Sequence, residues 1–205
     1  ALNITTFIKD NSGSIDGTLY FWDHYSTNET HVLSNYEGGY AARNLTGGVA
    51  PVAPSLISGR GSSSKIPNQF IPIGQGFFVN GKIGSGGTVT YNNEQRAFYK
   101  ENESSFSNTL FKTTDGTKKT SNSNARNNII NDPSEVDNYM RIRLGFNSKN
   151  LYHRQVLLGF MNENATYGVD YGYDALNFDY KPNDMYFLNE NNQLVIQGVG
   201  YFDAN

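Results

Sequence analysis

The chain has 205 residues, enough for one domain with a sizeable core or two small ones tightly joined. Aromatic residues make up 14% of it (13 Phe, 14 Tyr and 1 Trp) and charged residues only 17%, while 27 Asn stand beside 21 Gly and 6 Pro. Such a composition is rich in turn formers and poor in helix formers, which excludes a Leu- and Ala-rich helical bundle. With 16 basic against 19 acidic residues the net charge is -3, so no basic field is available for a nucleic-acid backbone. No apolar run approaches the roughly 18 residues of a spanning helix, so no membrane insertion is expected. The absence of Cys removes disulfides, thiolate metal sites and Cys nucleophiles together.

In chain order, residues 1–99 form a β-rich N-terminal part. Thr18-Leu-Tyr-Phe-Trp22 lies between Asp16-Gly17 and Asp23, Gln75-Gly-Phe-Phe-Val79 follows Pro72-Ile-Gly74, and Gly87-Thr-Val-Thr-Tyr91 ends at Asn92-Asn93. Each predicts a strand with turn punctuation. Gly38 to Gln69 has no sustained periodicity and reads as long connections over a sheet. Residues 100–138 include Thr113 to Asn128, nearly devoid of apolar side chains, which predicts a polar, partly mobile connection.

Residues 139–205 resume the strand pattern. Tyr139-Met-Arg-Ile-Arg-Leu-Gly-Phe146 alternates, with Arg141 and Arg143 opposite Met140, Ile142 and Leu144, as in a half-buried strand. His153-Arg-Gln-Val-Leu-Leu-Gly-Phe160, Asp184-Met-Tyr-Phe-Leu188 and Gln193-Leu-Val-Ile-Gln197 supply three more, with Asn189-Glu-Asn-Asn192 a hairpin-sized turn between the last two. Strands that recur without a helical interval predict an all-β fold, an antiparallel β-sandwich of jelly-roll type. The two β-rich parts are expected to pack as one composite unit or as two abutting sandwiches.

Gly17-Thr-Leu-Tyr-Phe-Trp-Asp23, Ile71-Pro-Ile-Gly-Gln-Gly-Phe-Phe-Val79 and Tyr91-Asn-Asn-Glu-Gln-Arg96 occur in that order, followed by Arg141-Ile-Arg-Leu-Gly145, Gln155-Val-Leu-Leu-Gly-Phe160, Ala165-Thr-Tyr-Gly-Val-Asp170 and Leu194-Val-Ile-Gln-Gly198. This series resembles the β-rich region that precedes the C-terminal sorting domain of surface proteins exported by the type IX secretion system. The resemblance covers both β-rich parts and not the connection between them. It implies a place outside the cell or on the surface of a bacterium, with neighbouring domains of a larger parent protein as partners. The sequence ends at Asn205 without a sorting domain, so it is read as a module of such a parent. No defined activity is implied, because regions of this kind accompany adhesins, glycan-degrading enzymes and other surface proteins.

A catalytic constellation is hard to assemble. The three His are His24, His31 and His153, and neither a Gly-x-Ser-x-Gly elbow nor a His-Glu-x-x-His motif occurs, so a non-catalytic role is expected. Asp170, Asp174, Asp179 and Asp184 still offer carboxylate pairs, which leaves glycosidase chemistry open by inventory. Asn162 and Asn164, with Asp170, Asp174 and Asp179, form a candidate oxygen cage for Ca2+, though the spacing matches no defined loop and the plainer role of these side chains is to organise turns. Aromatics are the most suggestive feature. Sugar rings present flat C–H faces to aromatic planes, while their hydroxyls want amide and carboxylate partners. The candidate polysaccharide-binding residues are Trp22, Tyr36, Tyr40 and Arg43, together with Tyr167, Tyr171 and Tyr173, of which Tyr171 and Tyr173 would share a face if the segment were extended. Core packing is the competing role for Trp22 and for the second tyrosine group. The function expected is a binding module contacting carbohydrate, with a structural stalk as the alternative and a glycan-active enzyme domain as the third.

Overall fold

Asn3 caps a short helix, α1 (Ile4–Asp10), by accepting hydrogen bonds from the amides of Thr5 at 3.0 Å and Thr6 at 3.4 Å. Seven residues are too few for a stable isolated helix. Burial supplies the stability: Ile4, Phe7 and Ile8 lie on one face of α1 and are almost wholly inaccessible. Asn11 ends the helix, and its side chain bonds both Phe7 O (2.8 Å) and the backbone of Thr90 (3.0 and 2.7 Å). The structure, a computed structural model, describes residues 1–24, 30–54, 66–84, 87–98, 138–149 and 152–200.

The described strands are β1 (Leu2–Asn3), β2 (Ile15–His24), β3 (Gly38–Arg43), β4 (Gly48–Val49), β5 (Ala53–Pro54), β6 (Phe70–Ile71), β7 (Phe78–Gly81), β8 (Met140–Asn147), β9 (Tyr152–Met161), β10 (Ala175–Leu176), β11 (Phe187–Asn189) and β12 (Asn192–Gly200). Together with α1 they make an all-β fold with one short helix. A first sheet has the order β4-β3-β2-β7. A second has the order β10-β12-β9-β5, with β8 and β11 also paired to β9 and β12. β1 and β6 form a separate two-stranded ribbon.

The first sheet is covered on both faces. On one side Leu19, Phe21 and Ala41 pack with Ile4, Phe7 and Ile8 of α1. On the other, Tyr20, Ala42 and Val49 meet Leu157, Ala175, Val195 and Ile196 of the second sheet. Residues from both β-rich parts of the sequence therefore share one core, and the layers run helix, sheet, sheet. Where residues 170–174 cross β2, Gly17 (φ +86°) and Gly172 (φ +73°) meet so closely that a Cβ on Gly17 would lie 2.5 Å from the amide of Gly172.

Several departures from the sequence reading have physical causes. β9 and β12 pair in parallel, Leu157 beside Ile196 and Met161 beside Gly200, so the second sheet is mixed and not purely antiparallel. The long connection that follows Met161 lets the chain return in the same direction. β3 lies in the Gly-rich stretch read as connection, because its inward residues are small enough for close packing. Residues 87–91 form no strand, since Asn11 and Ser14 side chains take their backbone groups. β8 has the expected alternation, but its apolar face is in solvent, and on the other face Arg141 is half-buried and Arg143 exposed. Arg141 Nε donates to Thr46 O (2.6 Å) and Arg143 Nη1 to Gly48 O across the sandwich, leaving Met140, Ile142 and Leu144 exposed. The hairpin turn does form: Glu190 and Asn191 both have positive φ (48° and 68°), as a two-residue turn between β11 and β12 requires. The polar connection expected at 100–138 lies outside the described residues except for Asn138.

Candidate functional site: an aromatic shelf

Strand alternation builds the site. Tyr20 and Trp22 point to one face of β2, where Tyr20 is paired with Ala42 of β3 and Phe78 of β7, and Trp22 is paired with Tyr40 of β3. Tyr20 is buried between the sheets, while farther along the strand the cover of the second sheet gives out and the remaining rings reach solvent. Trp22 and Tyr40 meet edge to face with centroids 5.0 Å apart, and Tyr40 and Phe78 do the same at 5.7 Å. Phe178, on the loop after β10, closes the row from above at 4.2 Å from Tyr20 and 6.0 Å from Tyr40. Phe78 is 60% exposed and Phe178 44%. Phe77, one residue away, points the other way and packs on Phe7 and Phe21 in the helix-side core.

Gly38 is required beneath Trp22. A Cβ there would lie 2.4 Å from the indole Cζ2 and 2.5 Å from Asp23 O, so the indole lies over bare backbone. Beyond it, Tyr36 follows a 3-10 turn (Leu33–Asn35) and rests on the His24 ring at 4.9 Å.

The loop that carries Phe178 is anchored by a buried ion pair. Arg154 on β9 donates from Nε to Asp184 Oδ1 and from Nη2 to Asp184 Oδ2, both at 2.8 Å, with side chains only 4% and 6% exposed. Arg154 also donates to Asp179 O, and Asn177 Nδ2 to Asp184 Oδ2 at 3.0 Å. Burial pushes the Asp184 carboxyl up, yet the hydrogen bonds and charge of Arg154 outweigh it and hold the group below the usual carboxylate range. Asp179 accepts the Tyr40 amide at 2.6 Å, tying the loop to the exposed edge of β3. Its own carboxyl is raised by burial, with the Tyr40 amide and Arg154 opposing.

The other sequence candidates lie elsewhere. Arg43 is buried, with Nη1 donating to Pro67 O at 2.8 Å. Tyr171 donates its hydroxyl to Ile8 O at 2.5 Å on the helix side of the first sheet, and burial pushes that hydroxyl up to about 12. Tyr173 donates to Asn162 Oδ1 at 3.2 Å, and Tyr167 stands exposed on a surface loop. These tyrosines do not share a face, because the positive φ of Gly172 turns the chain between Tyr171 and Tyr173. Four of the five candidate calcium ligands have their side-chain oxygens engaged within the chain, and Asn164 takes part through its backbone amide. Asn162 Oδ1 accepts from the amide of Asn164, Asp170 from the amide and hydroxyl of Thr166, Asp174 from the amides of Asp170 and Gly198, and Asp179 from Tyr40. No group of three or more His, Asp or Glu suited to a metal ion occurs among the described residues.

Trp22, Tyr36 and Tyr40 are thus neighbours along one edge, as three of the candidates named from sequence. Phe78, Phe178, Gly38 and Arg154 were not singled out, and Asp184 was named only among the acids that could form a carboxylate pair. The signal for Phe78 was present, since adjacent Phe residues in a strand must face opposite ways. The partners of Arg154 and Phe178 are set by tertiary contacts across 25 to 158 sequence positions and left no local trace.

A family model described as a domain of unknown function, DUF8693, matches residues 1–205. The chain belongs to this family. No curated protein and no solved structure has significant similarity to this DUF8693 domain. Nor is any helix among its described residues long and apolar enough to cross a membrane.

Proposed function

We propose that this DUF8693 domain is a non-catalytic binding module of an exported bacterial surface protein, and that its aromatic shelf contacts carbohydrate. The observation that supports the reading is the contiguous row of Phe78, Tyr40 and Trp22, overhung by Phe178, at the open end of the inter-sheet core. Partly exposed aromatic planes with polar tips suit the C–H faces and hydroxyls of sugars. The surface location rests on the resemblance to the region preceding the type IX sorting domain. A second reading, a stalk or spacer, draws on the exposed row of Met140, Ile142 and Leu144 on β8, which a neighbouring domain of the parent would cover.

Affinity electrophoresis in polysaccharide-containing gels tests the first reading. The intact domain is expected to be retarded by at least one glycan. Replacing Tyr40 by Ala should weaken that retardation by about 1 kcal/mol, a factor of about five, while near-ultraviolet circular dichroism keeps its folded signature. If no polysaccharide retards the intact domain, the carbohydrate reading fails and the stalk reading takes its place.

A further inference from the structure

We propose that the shelf takes an uncharged glycan and engages at least two consecutive pyranose rings of it. This rests on the reading of the shelf as a carbohydrate site and narrows it to a ligand class.

Length comes from the spacing of the rings. Phe78 to Tyr40 is 5.7 Å and Tyr40 to Trp22 is 5.0 Å, so each step is about the length of one sugar ring. The interplanar angles of 83° and 65° turn each aromatic plane relative to the last, so one sugar cannot lie flat on all three. A chain of sugars, each rotated about its glycosidic bond, can meet the planes in turn.

Charge comes from the elements that carry the rings. β2, with Ile15 to His24, holds no Lys or Arg, and neither does β7. The single Arg of β3, Arg43, is buried against Pro67. In the loop with Phe178, Lys181 places its ammonium over the Tyr152 ring at 4.9 Å, and Arg154 beneath it is paired with Asp184. The His24 ring lies against Tyr36. Acidic residues, in contrast, flank the row in sequence: Asp23 after Trp22, Glu37 before Gly38 and Asp179 after Phe178. Asp23 is buried and Asp179 accepts the Tyr40 amide, so neither repels a ligand directly, but a sulfate or uronate would find no Lys or Arg on β2 or β7 to pair with. Sugar hydroxyls fare better, because among the described residues neither Trp22 Nε1 nor Tyr40 Oη makes a hydrogen bond, and both remain available to them.

Trp22 is the sole tryptophan of the chain, so its fluorescence reports the shelf alone. The experiment titrates the full domain with neutral polymers (β-glucan, α-glucan, xylan, mannan) and acidic ones (heparin, carrageenan, alginate), then with one- to six-unit oligosaccharides of whichever polymer changes the emission. The expected result is a saturable change with a neutral polymer, unaffected by 0.5 M salt, and affinity that rises about tenfold from one unit to three. Phe78→Ala should abolish most of that gain. Binding confined to acidic polymers and lost in salt would leave the carbohydrate reading standing and overturn the proposed ligand class. Equal affinity for one and three units would overturn the two-ring engagement. No response to any polymer would overturn both this inference and the reading beneath it.

Discussion

Two apolar surfaces of the molecule differ in kind. The shelf is built of rings from three strands and one loop, and its overhanging loop is fastened by Arg154, Asp184 and Asp179. The row of Met140, Ile142 and Leu144 comes from β8 alone, is aliphatic and exposed, and lies opposite the face from which Arg141 and Arg143 reach the carbonyls of Thr46 and Gly48. The first surface has a fixed shape, with polar groups at its tips. The second offers area without geometry. Exposed hydrophobicity alone therefore says little about a ligand. What separates a site from a covered face is whether buried interactions elsewhere in the fold hold its shape.

The largest effect should come from the anchor. Arg154→Ala leaves the Asp184 carboxylate buried without its partner and is expected to cost about 3–5 kcal/mol in chemical denaturation. A loss under about 1 kcal/mol would mean that the loop with Phe178 is not held in the way the geometry implies.

Next comes the pH dependence of the same region, where two carboxylates act in opposite directions. Burial raises Asp174 from 3.8 to about 6, so its contribution to stability is complete at low pH and is lost as pH rises from about 4 through 6. The full swing is roughly 2–3 kcal/mol. Asp184 is depressed instead, so its contribution is present above the ordinary carboxylate range and is lost as pH falls. In Asp174→Asn, urea unfolding should lose the falling component between pH 4 and pH 7 and keep the loss of stability that Asp184 causes below about pH 4. An unchanged profile would show that Asp174 titrates normally.

Smaller still is Phe78→Ala, which should cost well below the roughly 3–5 kcal/mol of a core Phe because the ring is mostly in solvent. A thermal shift matching a core deletion would reassign the ring from the shelf to packing. The smallest effects belong to the aliphatic row. Met140→Ser, Ile142→Thr and Leu144→Thr are each expected to change stability by no more than about 0.5 kcal/mol and to leave glycan retardation untouched. Retardation lost in the triple variant would move the binding surface to β8.

What was legible in the sequence follows from the range of the interaction concerned. β2, β9 and β12 show themselves through runs of β-branched and aromatic residues, and the β11–β12 turn through Asn189-Glu-Asn-Asn192, since these are local preferences. α1 escaped because seven residues carry too short a period, and its stability comes from packing against Leu19 and Phe21. For β8 the alternation was readable but its polarity was not. Which side faces inward depends on carbonyls that Thr46 and Gly48 present from about 95 residues earlier in the chain. The shelf was half legible: Trp22, Tyr36 and Tyr40 announced themselves as aromatics beside glycines, whereas Phe178 and its anchor depend on a contact between β9 and a distant loop.

β5 carries a consequence for how the chain reaches this state. Ala53 pairs with His153 and Pro54 with Tyr152, so a two-residue strand from the first third of the sequence completes the edge of a sheet supplied by the last third. The parallel partner of β9, β12, arrives later again. As the chain emerges, its leading segment can dock α1 on β2 and β3, but the opposite face of those strands stays uncovered until the final residues appear. Such high contact order predicts slow folding, limited by closure of a long loop rather than by formation of any local element. During that interval Tyr20, Ala42 and Val49 would be open to the wrong partners.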